Sequence, residues 1–105
     1  MLVLLCPALV AQQPGRPDII RGRVVGPDSQ PVAGARVAVR SEESNEVRET
    51  VTTARGAWTV LFPTHSEKYV VTTRFIGMEP STVRVKWRHD DAVLTANVAL
   101  VAARH

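Results

Sequence analysis

Residues 19–39 read IIRGRVVGPDSQPVAGARVAV, two alternating apolar runs joined by a turn rich in proline and glycine. In the first run Ile20, Gly22, Val24 and Gly26 fall on one face of an extended segment, with Arg21 and Arg23 on the other. That period of two is the pattern of a half-buried strand. Pro27, Asp28, Ser29, Gln30 and Pro31 interrupt it, because proline fixes φ and removes a donor while Asp and Ser bond to nearby backbone. After Gly34 the alternation resumes, with Ala35, Val37 and Val39 facing inward and Arg36 and Arg40 outward. The pair is a β-hairpin or a β-arch, and the rest of the chain reads as strands added to it.

Downstream, turn signals recur about every 8–12 residues, as a sandwich requires. SEESN at 41–45 is a polar turn. Residues 46–53 alternate weakly, with Val47, Glu49, Val51 and Thr53 on one side; a charge there marks an edge strand. Residues 57–62 are the best core strand of the second half, with Trp58, Val60 and Phe62 sharing a face. Pro63 ends it. Along 68–76, Tyr69, Val71, Thr73 and Phe75 face inward, and Gly77 and Pro80 punctuate the exit. Residues 81–87 set Val83, Val85 and Trp87 against Thr82, Arg84, Lys86 and Arg88. A single last strand over 94–101 places Ala96, Val98 and Leu100 together. No helical period is sustained. The expectation is an all-β, seven-stranded antiparallel Greek-key sandwich.

The order Ile20-x-Gly22-x-Val24, then Pro31-Val32-x-Gly34-Ala35-x-Val37-x-Val39, resembles the opening of the carboxypeptidase regulatory-like domain, a transthyretin-like β-sandwich. TARGAW at 53–58 is similar to that family's T-D-x-x-G-x-aromatic turn, and FIGMEP at 75–80 to its aromatic-x-G-aromatic-x-P step. The likeness runs from residue 19 to about residue 102. Ala54 departs from the usual Asp, which removes a turn-stabilising carboxylate, and Met78 departs from the usual aromatic, which softens a core contact. The resemblance implies a non-catalytic accessory module. Domains of this kind also precede the plug and barrel of TonB-dependent outer-membrane receptors, and the FIGMEP step is especially like those.

Composition bounds the rest. The chain has 105 residues, which suits one domain. It is 45% hydrophobic but only 5% aromatic, so its core is built of Val, Ala and Leu. The formal charge is +3, with Arg supplying most of the cations. These Arg residues alternate with apolar residues along strands, which favours a solvated sheet face over an anion-binding patch. Residues 1–11, MLVLLCPALVA, form an apolar run too short to span a bilayer and ending in small residues. They read as a secretory signal followed by a linker over 12–18, with the sandwich occupying 19–105 and an exported, periplasmic or outer-membrane-associated protein as the result. Cys6, the only cysteine, lies in that leader, so the mature chain has no disulfide or thiolate site.

No catalytic constellation stands out. His65, His89 and His105 lie far apart, and His89-Asp90-Asp91 has too few ligands for calcium. Phosphate loops, nucleophile elbows and zinc-peptidase motifs are missing from the sequence. The expectation is a protein that is not an enzyme, uses no cofactor or metal, binds no nucleic acid and has no transmembrane segment in its mature form. Its partner is another envelope protein or a domain of a longer chain, met by strand addition at an unpaired edge. Arg84, Lys86, Trp87 and Arg88 are the candidate partner surface. The alternative is a small carbohydrate- or ligand-binding module that stacks a sugar on Trp87.

Overall fold

The computed structural model describes residues 17–88 and 93–103. The apolar leader with Cys6, the 89–91 turn and His105 lie outside the described residues. Eight strands follow one another: β1 (Asp18–Val25), β2 (Arg36–Ser41), β3 (Val47–Val51), β4 (Ala57–Phe62), β5 (Lys68–Arg74), β6 (Ser81–Lys86), β7 (Leu94–Thr95) and β8 (Val98–Ala99). No helix occurs among the described residues. One sheet holds β4, β1 and the β7–β8 pair; the other has the order β3-β2-β5-β6. The two segments of residues 19–39 therefore form an arch and not a hairpin, since β1 pairs with β4 while β2 pairs with β3 and β5.

The alternating pattern decides the core. Ile20, Val24, Val37, Val39, Phe62, Tyr69 and Val71 are fully buried between the sheets, joined by Trp58, Val60, Val98 and Leu100. Phe75, Met78, Val83, Val85 and Trp87 pack against this cluster from its margin. β3 is an edge strand, and Val47, Glu49 and Val51 point to solvent. Its other side is unexpected: Arg48 faces the interior, its guanidinium 5.9 Å from the centre of the Phe62 ring and bonded to the Glu46 carboxylate. The partly exposed cation lies over an aromatic face at the margin of the core, where the edge strand supplies no apolar side chain.

Connections between strands carry their own bonds. Thr52 is buried, donates to the Val32 carbonyl at 2.6 Å and accepts the Ala35 N–H at 2.9 Å, so it ties the arch to the end of β3. In the turn before β4, Thr53 Oγ1 accepts the N–H groups of Arg55 and Ala57, both at 3.2 Å. That hydroxyl organises the turn next to Ala54, where a carboxylate was missed. Met78 packs against the core and bridges to Ala102, while Glu79 and Ala103 donate to the Val101 and Gly77 carbonyls.

The last strand differs from expectation in two ways. It is broken into β7 and β8, and both run parallel to β1. Chain direction reverses at each connection up to β7, so every odd-numbered strand from β1 to β7 runs the same way, β7 lies parallel beside β1, and β8 continues in the direction of β7. The break is a local bend at Ala96 and Asn97. Asn97 Oδ1 accepts the Arg23 N–H at 3.1 Å, and the Ala96 N–H donates to the Arg21 carbonyl at 2.8 Å. The bend needs Gly22: a Cβ there would lie 1.7 Å from the Ala96 carbonyl oxygen and 3.1 Å from the Trp58 ring. Glycine inside a strand marks a close approach of backbone.

Gly22→Ala is expected to lower stability by about 2–3 kcal/mol or more, because the obstructing atom is backbone and cannot swing aside. Trp58→Ala is expected to cost roughly 3–5 kcal/mol through the cavity it leaves. Urea unfolding followed by circular dichroism measures both; a Gly22→Ala midpoint equal to that of the parent would contradict the packing described for β7 and β8.

Candidate functional site

A polar cluster closes one end of the sandwich. Asp18 opens β1 and is only 6% exposed. Its Oδ2 accepts the Tyr69 hydroxyl at 2.6 Å and the Ser66 N–H at 3.1 Å, and its Oδ1 lies 3.0 Å from His65 Nδ1. Tyr69 belongs to β5 in the opposite sheet, so the Asp18–Tyr69 bond spans the sandwich. The Tyr69 ring packs at 4.8 Å from Phe62, and His65 lies 6.0 Å from the Trp87 ring. The reading of the sequence missed this cluster by placing Asp18 in the linker and His65 in an isolated loop. One signal was available: a tyrosine on an inward face needs a partner for its hydroxyl.

Electrostatics follow from the geometry. Burial alone would raise the Asp18 carboxyl, but hydrogen bonds from Tyr69, His65 and the Ser66 N–H outweigh it and hold the group below its usual 3.8. The bond to Asp18 is the main influence on His65 and raises it above 6.5, helped by the charges of Asp18, Glu43 and Glu67 and opposed by partial desolvation. Burial, and then donation to Asp18, pushes the Tyr69 hydroxyl well above its usual range. Ser, His and Asp thus converge, but the Ser66 hydroxyl is buried and donates to the Lys68 carbonyl at 3.0 Å. Its proton is committed to backbone and not offered to the imidazole, so the cluster acts as a clasp. No group of three or more His, Cys, Asp or Glu suited to a metal ion occurs among the described residues.

The candidate partner surface divides between two faces. Arg84, Lys86 and Arg88 are exposed on the outer side of the β6 run. Trp87 turns the other way, half-buried against the core, with its backbone N–H donating to the Glu67 carbonyl at 3.0 Å. Lys68 stands directly opposite Lys86 in the register, and with Arg84 and Glu42 they border an open recess of about 240 Å³. On its other side β6 has no strand partner among the described residues. No helix among the described residues is long and apolar enough to cross a membrane.

Tyr69→Phe is expected to cost about 1–3 kcal/mol, since it strips a donor from a buried carboxylate. The pH dependence has a definite sign. The Asp18 contribution is complete above 3.8 and lost as pH falls through its lowered folded value. The His65 contribution is complete below 6.5 and lost as pH rises through its raised folded value. The cluster therefore stabilises most between those two values. Urea midpoints across pH should form a plateau there, and Asp18→Asn should flatten both shoulders; unchanged shoulders would contradict the assignment.

Among solved structures the fold is similar to catechol 1,2-dioxygenase from Acinetobacter sp. ADP1, with a TM-score of 0.68, 11% identity and coverage of 90% of this chain and 55% of that one. It is also similar to 3-chlorocatechol 1,2-dioxygenase from Rhodococcus opacus 1CP (0.66, 11%, 88% and 62%) and to chlorocatechol 1,2-dioxygenase from Pseudomonas putida (0.61, 17%, 85% and 61%). The chain spans less than two thirds of those proteins, and identities this low establish shared architecture alone. Comparison with curated proteins finds no match. The sequence pattern of the carboxypeptidase regulatory-like domain, however, matches residues 19–101, nearly every strand residue described above. With its arch, its glycine-dependent last strand and its Val-rich interior, this chain belongs to the carboxypeptidase regulatory-like domain family, a family of non-catalytic β-sandwich modules.

Proposed function

We propose that the protein is an interaction module of an exported bacterial envelope protein, related to the N-terminal extensions of TonB-dependent receptors, and that it performs no catalysis. The observation that carries this reading is the free edge of β6. That strand is paired with β5 from Ser81 to Lys86, and its other edge has no strand partner among the described residues. Regular alternation and freedom from proline leave its N–H and C=O groups presentable to an incoming strand. The outward Arg84 and Lys86 discourage pairing between copies and select an extended segment bearing carboxylates. β3 serves this purpose less well, being shorter and carrying Glu49 outward.

Trp87 offers little to a sugar. A stacking platform needs an open ring face, and this indole is half-buried against the core. A glycan panel is accordingly expected to leave the intrinsic fluorescence unchanged. The leader over residues 1–11 supports export, and fractionation of cells expressing the tagged chain checks it; retention in the cytoplasm would overturn that part.

For the interaction itself, the protein is immobilised and the envelope proteins it captures are identified. The paired substitution Arg84→Glu with Lys86→Glu should abolish capture of the identified partner while leaving the urea midpoint within about 0.5 kcal/mol of the parent, as exposed changes do. Hydrogen exchange on the complex should protect the amides of β6. A partner bound with β6 unprotected would sink the strand-addition reading.

A further inference from the structure

At the opposite end of β6 from Lys86, the same sheet combines charge with an apolar tip. Arg74 closes β5 on the outer face, Phe75 turns inward and is half-buried, and Ile76 turns out again. Ile76 is 88% exposed, the most open of the large apolar side chains among the described residues. The neighbouring Gly77 has φ 78°, and a Cβ on it would meet nothing within 4 Å, so the turn projects into open space. Arg36 lies directly opposite Arg74 in the register, and Val51, 56% exposed, flanks Arg36 on its other side. Neither guanidinium has a hydrogen bond or ion pair among the described residues. With Ile76 and Pro80 they line an open groove of about 330 Å³ that contains no carboxylate.

The rest of this outer face is cationic too. Lys68 stands opposite Lys86, and Arg40 and Arg84 stand on either side of Val70. Glu49 is the only carboxylate on its strands, with Glu42 at the border beside Lys68. Like charges directly opposite one another destabilise an antiparallel pair, and Arg36–Arg74 and Lys68–Lys86 are two such pairs. A face that served only to meet water would do better with mixed signs. One that meets a negative surface has reason to keep them.

We propose that this end of the sandwich docks on an anionic lipid surface, with Ile76 entering the boundary between headgroups and acyl chains while Arg36 and Arg74 engage lipid phosphates. An acidic peptide would neutralise the two arginines but leave Ile76 in water. A bilayer surface presents negative headgroups and an apolar layer within a few ångströms of each other, and this end presents the complement of both. Arg40, Lys68, Arg84 and Lys86 add attraction at longer range, which salt screens. The assignment is separable from strand addition at β6, because its contact residues Arg36, Arg74 and Ile76 take no part there and its partner is of another class.

The test is co-sedimentation of the full chain with phosphatidylcholine vesicles, with and without phosphatidylglycerol, at low and high salt. Binding is expected only with the anionic lipid and should weaken as salt rises. Any contribution of the apolar residues 1–11 is common to all variants and is read from the neutral vesicles. Ile76→Ser should weaken binding about tenfold through lost apolar burial. Arg36→Glu with Arg74→Glu should weaken it by about tenfold or more. Urea midpoints confirm that the variants remain folded. Equal binding to both vesicle types overturns the proposal, as does vesicle binding that neither variant changes. Retention of poly-glutamate with no vesicle binding overturns it in favour of an acidic protein partner.

Discussion

The close approach of the Ala96 carbonyl to the α-carbon of Gly22 is the constraint around which the first sheet is arranged. β1 is its central strand, flanked by β4 on one side and by β7 and β8 on the other. A side chain at position 22 would occupy the space that the Ala96 carbonyl fills. With that space free, the C-terminal segment bends, gives its N–H groups at Ala96 and Leu100 to the Arg21 and Val25 carbonyls, and buries Leu94, Ala96, Val98 and Leu100. These four side chains cover the side of the core that β4 does not reach. An interior made mostly of Val and Ala is thin, so every atom of separation between backbones counts toward its packing density.

Such an interior also leaves the ends of the sandwich weakly sealed, and the polar clasp at Asp18 answers that. Apolar contact is nondirectional and tolerates sliding of one sheet over the other. A carboxylate bonded to a hydroxyl on the facing sheet and to a loop N–H does not, since each bond fixes distance and angle. Burial makes the arrangement all-or-none: with its donors present the Asp18 carboxylate is satisfied, and with one missing a buried charge is left short of partners. At the opposite end the corresponding role falls to backbone bonds, between residues 77–79 and 101–103. The two ends are thus closed by different chemistry, one sensitive to pH and one not.

Most of the fold was legible because a strand sends alternate side chains to opposite faces. Ile20, Val37, Trp58, Tyr69 and Val71 could be placed inside from neighbours two residues away, and the edge character of β3 from Glu49 alone. What escaped was set by contacts across long stretches of chain. Asp18 follows proline and reads as linker; its partners His65, Ser66 and Tyr69 lie 47 to 51 residues on. The bend at Asn97 interrupts an otherwise unbroken apolar alternation, and asparagine was the cue, being poor in strands and apt to bond to backbone. Arg48 on the inner face violated the alternation of charge, and only the Phe62 ring across the gap explains it. The candidate surface is a different case: Arg84, Lys86, Trp87 and Arg88 lie within five residues of one another, and the alternation already visible there sends the tryptophan to the face opposite the three cations.

Net charge hides how the cations are distributed. A formal +3 over 105 residues is modest, yet the outer face of the second sheet gathers Arg36, Arg40, Lys68, Arg74, Arg84 and Lys86, while the strands of the first sheet offer only Arg21 and Arg23 outward. The same period of two that buries valine on one face of each strand aligns its arginines on the other. Strand order then brings β2, β5 and β6 side by side, so rows that are separate in sequence become one field. Such a field acts before contact, orienting the molecule as it nears any negative surface. The fold therefore converts a nearly balanced composition into a sided object.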